Sequence, residues 1–590
     1  MTTWVDSTHE LVAGIGPGTR IGVSGFHFTR TPVAAIQALG PDAVDLHYVA
    51  WGGGLPLELL LAQGRVSRAT LCFSSLDALG PAPRFRRAVE DGTLELDEWT
   101  ALGMIAGLRA AGENMPLGTL QEPAGSTLTA GFSVPQPNPF DAGAGTVPMV
   151  AVPALHLDVL LLHAQRADDD GNVEIQGARG LDMSMVFAAR RVLVTVEERV
   201  PTGSLGASRA FVLPRTFVEA VTLAPGGAYP TSCLPHYPAD YRALSSLDVD
   251  TWASPDGVAE PDRLAQLGRW GRAPARLVVR ELQAAAGPDP APDAAPDPAS
   301  DAGPDLGPWT VDELMVTTIA ATIGPGAVCS VGSASPLPTA AYLLAKHLRA
   351  PDLLVMSHNG GLVDLPVRPL SLLAAELIDT QLAAAHTGGD ETYHWYYQRG
   401  LVTHEVVGSA QVDATGATNN LLVRKSDGTP VRLPGQGGMA DVANLHANFM
   451  IYLPRQGLRN TPVRVERVSA ARTWRDPEQR RRYGLQPGRT LVVTDLGVFE
   501  AGPDGDLLLV SVHPGVAVAD VAERTGFAVR EHPDLTETTP PTDAELHALR
   551  HVVDPLGVRR LDMVAAAGRR ALVLSILDRE ERILDSLENA

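Results

Sequence analysis

The sequence predicts an α/β protein of two tandem domains, each a largely parallel sheet covered by helices, joined by a Pro/Ala/Asp-rich linker. Three observations carry that prediction. Apolar, β-rich runs alternate with helical stretches: "VLVTVEE" (192–198), "TLVVTDLGVFE" (490–500) and "LLLVSVHPG" (507–515) against "PVAAIQAL" and "AAYLLAKHL". Such alternation is the pattern of parallel strands connected by helices. Residues 284–308 read "AAAGPDPAPDAAPDPASDAGPDLGP", with no apolar period to pack; that composition predicts an extended, solvated tether. Two motifs also recur, in the same order, on either side of it.

The first motif is "IGPGTRIGVSG" from Ile15, echoed by "IGPGAVCSVGS" from Ile323. The second is "LLLHAQRADDDGNV" (160–173), echoed by "VVGSAQVDATGAT" (406–418). In each second motif an apolar strand meets Ala-Gln, then an Asp and a Gly turn. Kept order predicts two related domains, spanning residues 1–283 and 309–556. Beyond them, residues 557–590 include "VRRLDMVAAAGRRALVLSILDREERILDSL", with Leu and Ile at helical spacing. An amphipathic helix is expected there, either capping the fold or building an oligomer contact.

Composition bounds the function. A chain of 590 residues exceeds one core. Net charge is −21, which excludes the basic groove that nucleic acid needs. Cys72, Cys233 and Cys329 lack metal-ligand spacing and read as buried thiols in a reducing compartment. The first residues lack the basic-then-apolar pattern of a signal peptide, and no apolar run is long enough to span a bilayer. A cytoplasmic protein without membrane or nucleic-acid partners, and a homo-oligomer, is expected.

No GxxxxGK[ST], HExxH, CxxC or GxSxG motif occurs, so the expectation includes no metal. What remains are glycine-rich strand ends: "GVSGF" with Gly25, "WGGGL" (51–55), "SHNGG" (357–361) and "GQGGMADVA" (435–443). Gly435, Gly437 and Gly438 precede a predicted helix and are expected to offer backbone N–H groups to a phosphate or a thioester oxyanion. The alternative is a plain helix-entry turn.

These same segments resemble family I CoA transferases, in particular the glutaconate CoA transferase branch with α and β subunits fused. The resemblance covers "GVSGFHFTRTP", "HAQRADDDGNV" and "VLVTVEE" in the first half. In the second it covers "GSAQVDATGATNN", "VRLPGQGGMADVA", "VVTDLGVFE" and "SVHPGVAVADVAERTGF". It implies CoA-transferase-type domains with an active site between them. It also implies a CoA thioester as substrate, with no permanently bound cofactor. Arg30 is then a candidate for a CoA phosphate or an acyl carboxylate.

The chain departs from the family at "DLLVMSHNGGLVDLP" (352–366). The family's transferases carry a catalytic glutamate where this apolar strand meets its Gly turn. Matched from "APD", His358 takes that position; matched back from "GLVD", Asn359 does. Neither forms the family's glutamyl-CoA intermediate. Histidine has a base suited to neutral pH. The chain also resembles the family's glutamate-lacking ring-opening hydrolases in "CFSSLDALGPAPRF" and "VSVHPGV". Hydrolysis of a C–C or thioester bond is therefore expected. The alternatives are transfer through another carboxylate, or CoA binding without catalysis. Glu98 and Glu122 are the carboxylates considered, both expected to be solvated surface acids; His163 and Ser409 are expected to be structural.

Overall fold

The computed structural model describes residues 2–121, 126–128, 134–136, 149–206, 209–255, 257–285, 309–332, 335–357 and 361–587. Two ten-stranded sheets dominate it. The heart of the first is five parallel strands: β1 (Arg20–Val23), β2 (Leu46–Val49), β3 (Leu157–Asp168), β4 (Ala189–Val200) and β5 (Ala220–Leu223). They lie in the order β2-β1-β3-β4-β5. The heart of the second is β6 (Val328–Val331), β7 (Leu354–Ser357), β8 (His404–Gly408), β9 (Asn448–Leu453) and β10 (Thr490–Thr494). These too are parallel, in the order β7-β6-β8-β9-β10. The order is the same strand for strand.

The repeated motifs fall at equivalent places. Gly18 and Gly326, each at φ +71°, make the left-handed turns that feed β1 and β6. Asp168 ends β3, and its Oδ1 accepts the N–H groups of Asp170 and Asn172. Asp413, five residues after β8, accepts those of Thr415 and Ala417 in the same way. Each Asp thus caps its own Gly turn. The sheets differ at their edges: strands Val66–Leu71 and Glu95–Glu98 continue the first in parallel, while the second continues past β7 antiparallel.

β3 is apolar along most of its length and buried at ten of its twelve positions, as befits a strand covered on both faces. The halves also share their cores. Phe26 stacks on Trp51 at 4.4 Å between ring centroids, and Trp51 meets Tyr393 of the second half edge-on at 5.5 Å. From the first half, Ala228, Leu234, Tyr237, Leu267, Trp270 and the apolar face of α1 (Ala275–Ala284) are buried in one cluster with the second half.

The C-terminal segment closes that cluster. Helix α2 (Ala566–Ser586) buries Val573, Ile576 and Leu577. Its Glu580 accepts backbone N–H groups of Leu372 and Leu373. Its Asp578 and Glu581 take Arg242, and Glu581 also takes Arg263, both from the first half. The amphipathic helix expected from the sequence therefore ties both halves together. Among the described residues no helix is long and apolar enough to cross a membrane. The three thiols are buried, and burial pushes each well up.

Candidate active site

β7 runs out between the halves, as a parallel strand must if its C-terminal end is to meet a ligand. Its last residue, Ser357, lines a cavity of about 180 Å³. Gly332, just past the end of β6, and Ser335, Pro336 and Thr339 at the start of helix Pro336–Leu348 also line it. The first half contributes His27, Phe28 and Thr29 from the turn after β1, and Asp77 and Ala78. The C-terminal segment contributes Leu561, Asp562 and Arg569. His358, Asn359 and Gly360 lie outside the described residues.

The cavity wall is rich in paired carboxyls. Arg368 holds Asp379 through both ends of its fork, at 2.6 and 2.7 Å. Asp562 accepts the Leu337 N–H at 3.0 Å, and burial pushes its carboxyl up to about 7. Glu376 accepts from Ser232 Oγ, and its carboxyl is also raised by burial, against which that hydrogen bond works. His27 Nδ1 is held by an Asp77 carboxylate oxygen. In the sequence, His27 and Asp77 sit inside longer family-like motifs with nothing local to single them out. Glu376, in "AAELIDTQL", carries no local signal separating it from a surface helix acid.

The glycine loop has a different place. Gly435, Gly437 and Gly438 do not line this cavity. The Gly437 N–H donates to Cys72 O at 3.0 Å and the Gly435 N–H to Asn420 O at 2.9 Å. Of the three donors expected to face a ligand, those of Gly435 and Gly437 are thus committed to protein carbonyls. Gly435 sits at φ +116°, where a Cβ would lie 2.8 Å from Phe73 Cα. The glycine is required by the close crossing of chain from the two halves. A Cβ on Gly438 would lie 1.9 Å from Tyr393 Oη.

Gly25, at φ +87°, turns the chain after β1, and its N–H donates to Asp182. Arg30 is 1% exposed. Its guanidinium pairs with Asp182 at 2.7 Å and donates to the carbonyls of Ala178 and His163. The guanidinium expected to meet a CoA phosphate or an acyl carboxylate is here engaged with groups of the first half. Glu98 corrects another expectation. It is not a solvated acid but pairs with Arg432 across the halves, with only a tenth of its side chain exposed. Glu122 lies outside the described residues.

His163, Glu197 and Cys233 bring three potential metal ligands within 4.8 Å of one another. Both imidazole nitrogens are engaged, Nδ1 with Thr195 Oγ1 at 2.9 Å and Nε2 with Glu197 at 2.8 Å. Glu197 is further held by the Tyr237 hydroxyl and the Gly226 N–H. This is a satisfied core network, consistent with a structural part for His163.

A family model described as Coenzyme A transferase matches residues 5–224 and 313–524, well over half the chain. The chain is 32% identical over 247 residues to one of the 3-oxoadipate CoA-transferase subunits of Pseudomonas knackmussii, covering 41% of this chain and 92% of that protein. It is 33% identical over 243 residues to the cholesterol ring-cleaving hydrolase IpdA subunit of Mycobacterium tuberculosis, covering 39% and 82%. Its fold matches that of an acyl-CoA transferase from Escherichia coli O157:H7 with a TM-score of 0.63, across 91% of this chain and 95% of that one, at 15% identity.

Proposed function

This chain belongs to the Coenzyme A transferase family, and on that premise we propose that it hydrolyses its acyl-CoA substrate at a C–C or thioester bond. It is an enzyme acting on acyl-CoA, with the family's two regions fused in one chain. One observation carries the hydrolytic reading. The strand that ends in the wall of the interdomain cavity continues as Ser357-His358-Asn359-Gly360, with no carboxylate. A carboxylate attacks a thioester and exchanges for CoA; imidazole and carboxamide form no such glutamyl-CoA. In this reading His358 takes a proton from water as the water adds to the acyl carbonyl, and Asn359 is the second candidate for substrate contact. Relatives bearing both transferase and hydrolase names leave either chemistry open to the fold.

A second reading has one observation in its favour. Glu376 puts a buried carboxyl into the same cavity, hydrogen-bonded by Ser232. As a displaced nucleophile it would support transfer.

Mass spectrometry of the full-length protein with acetoacetyl-CoA, succinyl-CoA and 3-oxoadipyl-CoA separates the two. Hydrolysis in H₂¹⁸O should place label in the released acid, borohydride should leave the enzyme active, and His358→Ala should lower turnover roughly 10²–10⁴-fold. A CoA adduct on Glu376, with loss of activity on borohydride treatment, would replace the hydrolytic reading by transfer.

A further inference from the structure

The family match ends at residue 524, yet the wall of the cavity draws on later sequence. Val558, Leu561, Asp562 and Arg569 all reach it from the C-terminal segment. The fixed cations of the wall are matched, with one exception. Asp379 holds both ends of the Arg368 fork. Arg569 makes no ion pair among the described residues; its guanidinium donates from Nη1 to Ala78 O, a long contact of 3.4 Å. Asp562 is near enough to be felt, but its carboxyl is engaged by the Leu337 N–H and the Tyr452 hydroxyl. Burial holds that carboxyl up to about 7, so it is only partly ionised at neutral pH.

Local helix chemistry gives no reason for a cation here. The first turn of a helix favours acidic residues, because the helix dipole is positive there. Helix α2 has none in that turn and carries Arg569 as its fourth residue. The guanidinium and the helix end therefore add to one positive pole at the cavity. The rest of the lining is largely apolar: Leu370, Leu372, Leu373, Val558 and Leu561 present surface that methylene groups can bury. Size narrows the occupant further. The cavity holds about 180 Å³. An apolar void of about 150 Å³ takes one benzene, whereas a drug-sized ligand needs roughly 300–1,000 Å³. The space suits a short acyl chain and is too small for the nucleotide of CoA.

We infer that Arg569 selects the substrate of this cavity by pairing with a carboxylate at the far end of the acyl chain. The inference rests on the reading of this cavity as the acyl site, and not on which bond is cleaved there. The planar fork of an arginine binds a carboxylate through two parallel hydrogen bonds. The leucine-lined wall covers the methylenes between that carboxylate and the thioester. An acyl chain ending in methyl would leave the guanidinium without its partner.

The test is titration calorimetry on the full-length protein with CoA thioethers, which carry no carbonyl to attack. S-(3-carboxypropyl)-CoA is set against S-butyl-CoA, and S-(5-carboxypentyl)-CoA against S-hexyl-CoA; within each pair only the terminal group differs. In at least one pair the carboxylate should bind roughly 10–100-fold more tightly, the size of a charge-assisted hydrogen bond. Arg569→Gln should abolish that preference while changing the affinity for the alkyl thioethers and for free CoA less than about threefold. Arg569→Lys should keep part of it, since the charge remains without the fork. Native circular dichroism of both variants shows that the fold is kept. A protein that binds CoA with no preference in either pair overturns the inference, as does a preference that survives in Arg569→Gln. Equal loss of both thioethers and of free CoA in Arg569→Gln places the residue on a CoA phosphate and overturns it too. Failure of the unmodified protein to bind any thioether or CoA overturns the reading of the cavity on which it rests.

Discussion

Glu98 and Arg432 close a forked ion pair between the two halves. Arg432 Nη1 donates to Glu98 Oε2 at 2.6 Å, and Nη2 donates to Oε1. Glu98 ends an edge strand of the first sheet; Arg432 ends the strand Pro430–Arg432 just before the glycine loop. Ser74 N then donates to Pro434 O at 2.7 Å, and Phe73 bridges to Gly435. The pair and this short ladder form one seam.

Removing one partner of that seam should cost more than removing both. Arg432→Met leaves a carboxylate in a nearly closed interface, which costs about 3–5 kcal/mol. Urea denaturation should show that loss. The double variant Arg432→Met, Glu98→Gln should recover part of it. Equal losses in the single and double variants would show that the carboxylate is not stranded.

Gly438→Ala should destabilise the protein by about 1–3 kcal/mol through overpacking. The new Cβ collides with the Tyr393 hydroxyl, so the cost arises inside the protein and not at a ligand. Adding Tyr393→Phe removes the nearest atom and leaves Cζ at 3.0 Å. Partial recovery of Tm in the double variant is therefore expected. Failure to recover would point to another cause.

Stability should fall as pH rises from about 4.5 to about 7. Burial holds the carboxyls of Glu405, Asp562 and Glu580 up at about 7. A carboxyl raised on folding binds its proton more tightly in the native state. Its contribution is full below the unfolded pKa and is lost as pH climbs to the folded one. Glu580→Gln should flatten this slope by roughly 1–3 kcal/mol over the interval, while losing one acceptor for the Leu372 and Leu373 N–H groups. Denaturation midpoints at pH 4.5, 6 and 7.5 measure it; an unchanged slope would remove Glu580 from the account.

Limited proteolysis should cut between Ala284 and Pro308 and leave the pieces associated. The Pro/Ala/Asp composition of that stretch, with no apolar period, is the basis for expecting cleavage there. The shared cores, the Glu98–Arg432 seam and helix α2 then hold the halves together. Size-exclusion chromatography of the nicked protein should give a single peak. Separation of the pieces would show that the tether itself is needed.

What the sequence determined by itself is local or periodic. The alternation of apolar strands with helices set the class. The IGPG turns at Gly18 and Gly326, and the Asp caps at Asp168 and Asp413, marked the duplication, because each motif closes its hydrogen bonds within a few residues. Family motifs identified the acyl-CoA chemistry, and the run Ser357-His358-Asn359, which holds no carboxylate, motivated the hydrolytic proposal. Only the tertiary structure decided the rest. Glu98 reads as a surface acid until Arg432, 334 residues away, is brought against it. Gly435 reads as a ligand cradle until Phe73 crosses it. Arg30 is an arginine after a glycine turn in the sequence; only the fold pairs its guanidinium with Asp182. His27 and Asp77 become a pair only where two loops of the first half meet beside Ser357 of the second. No periodicity or turn rule encodes such partners. They depend on which strand ends the folded sheets bring together, and burial there converts ordinary charged side chains into paired ones.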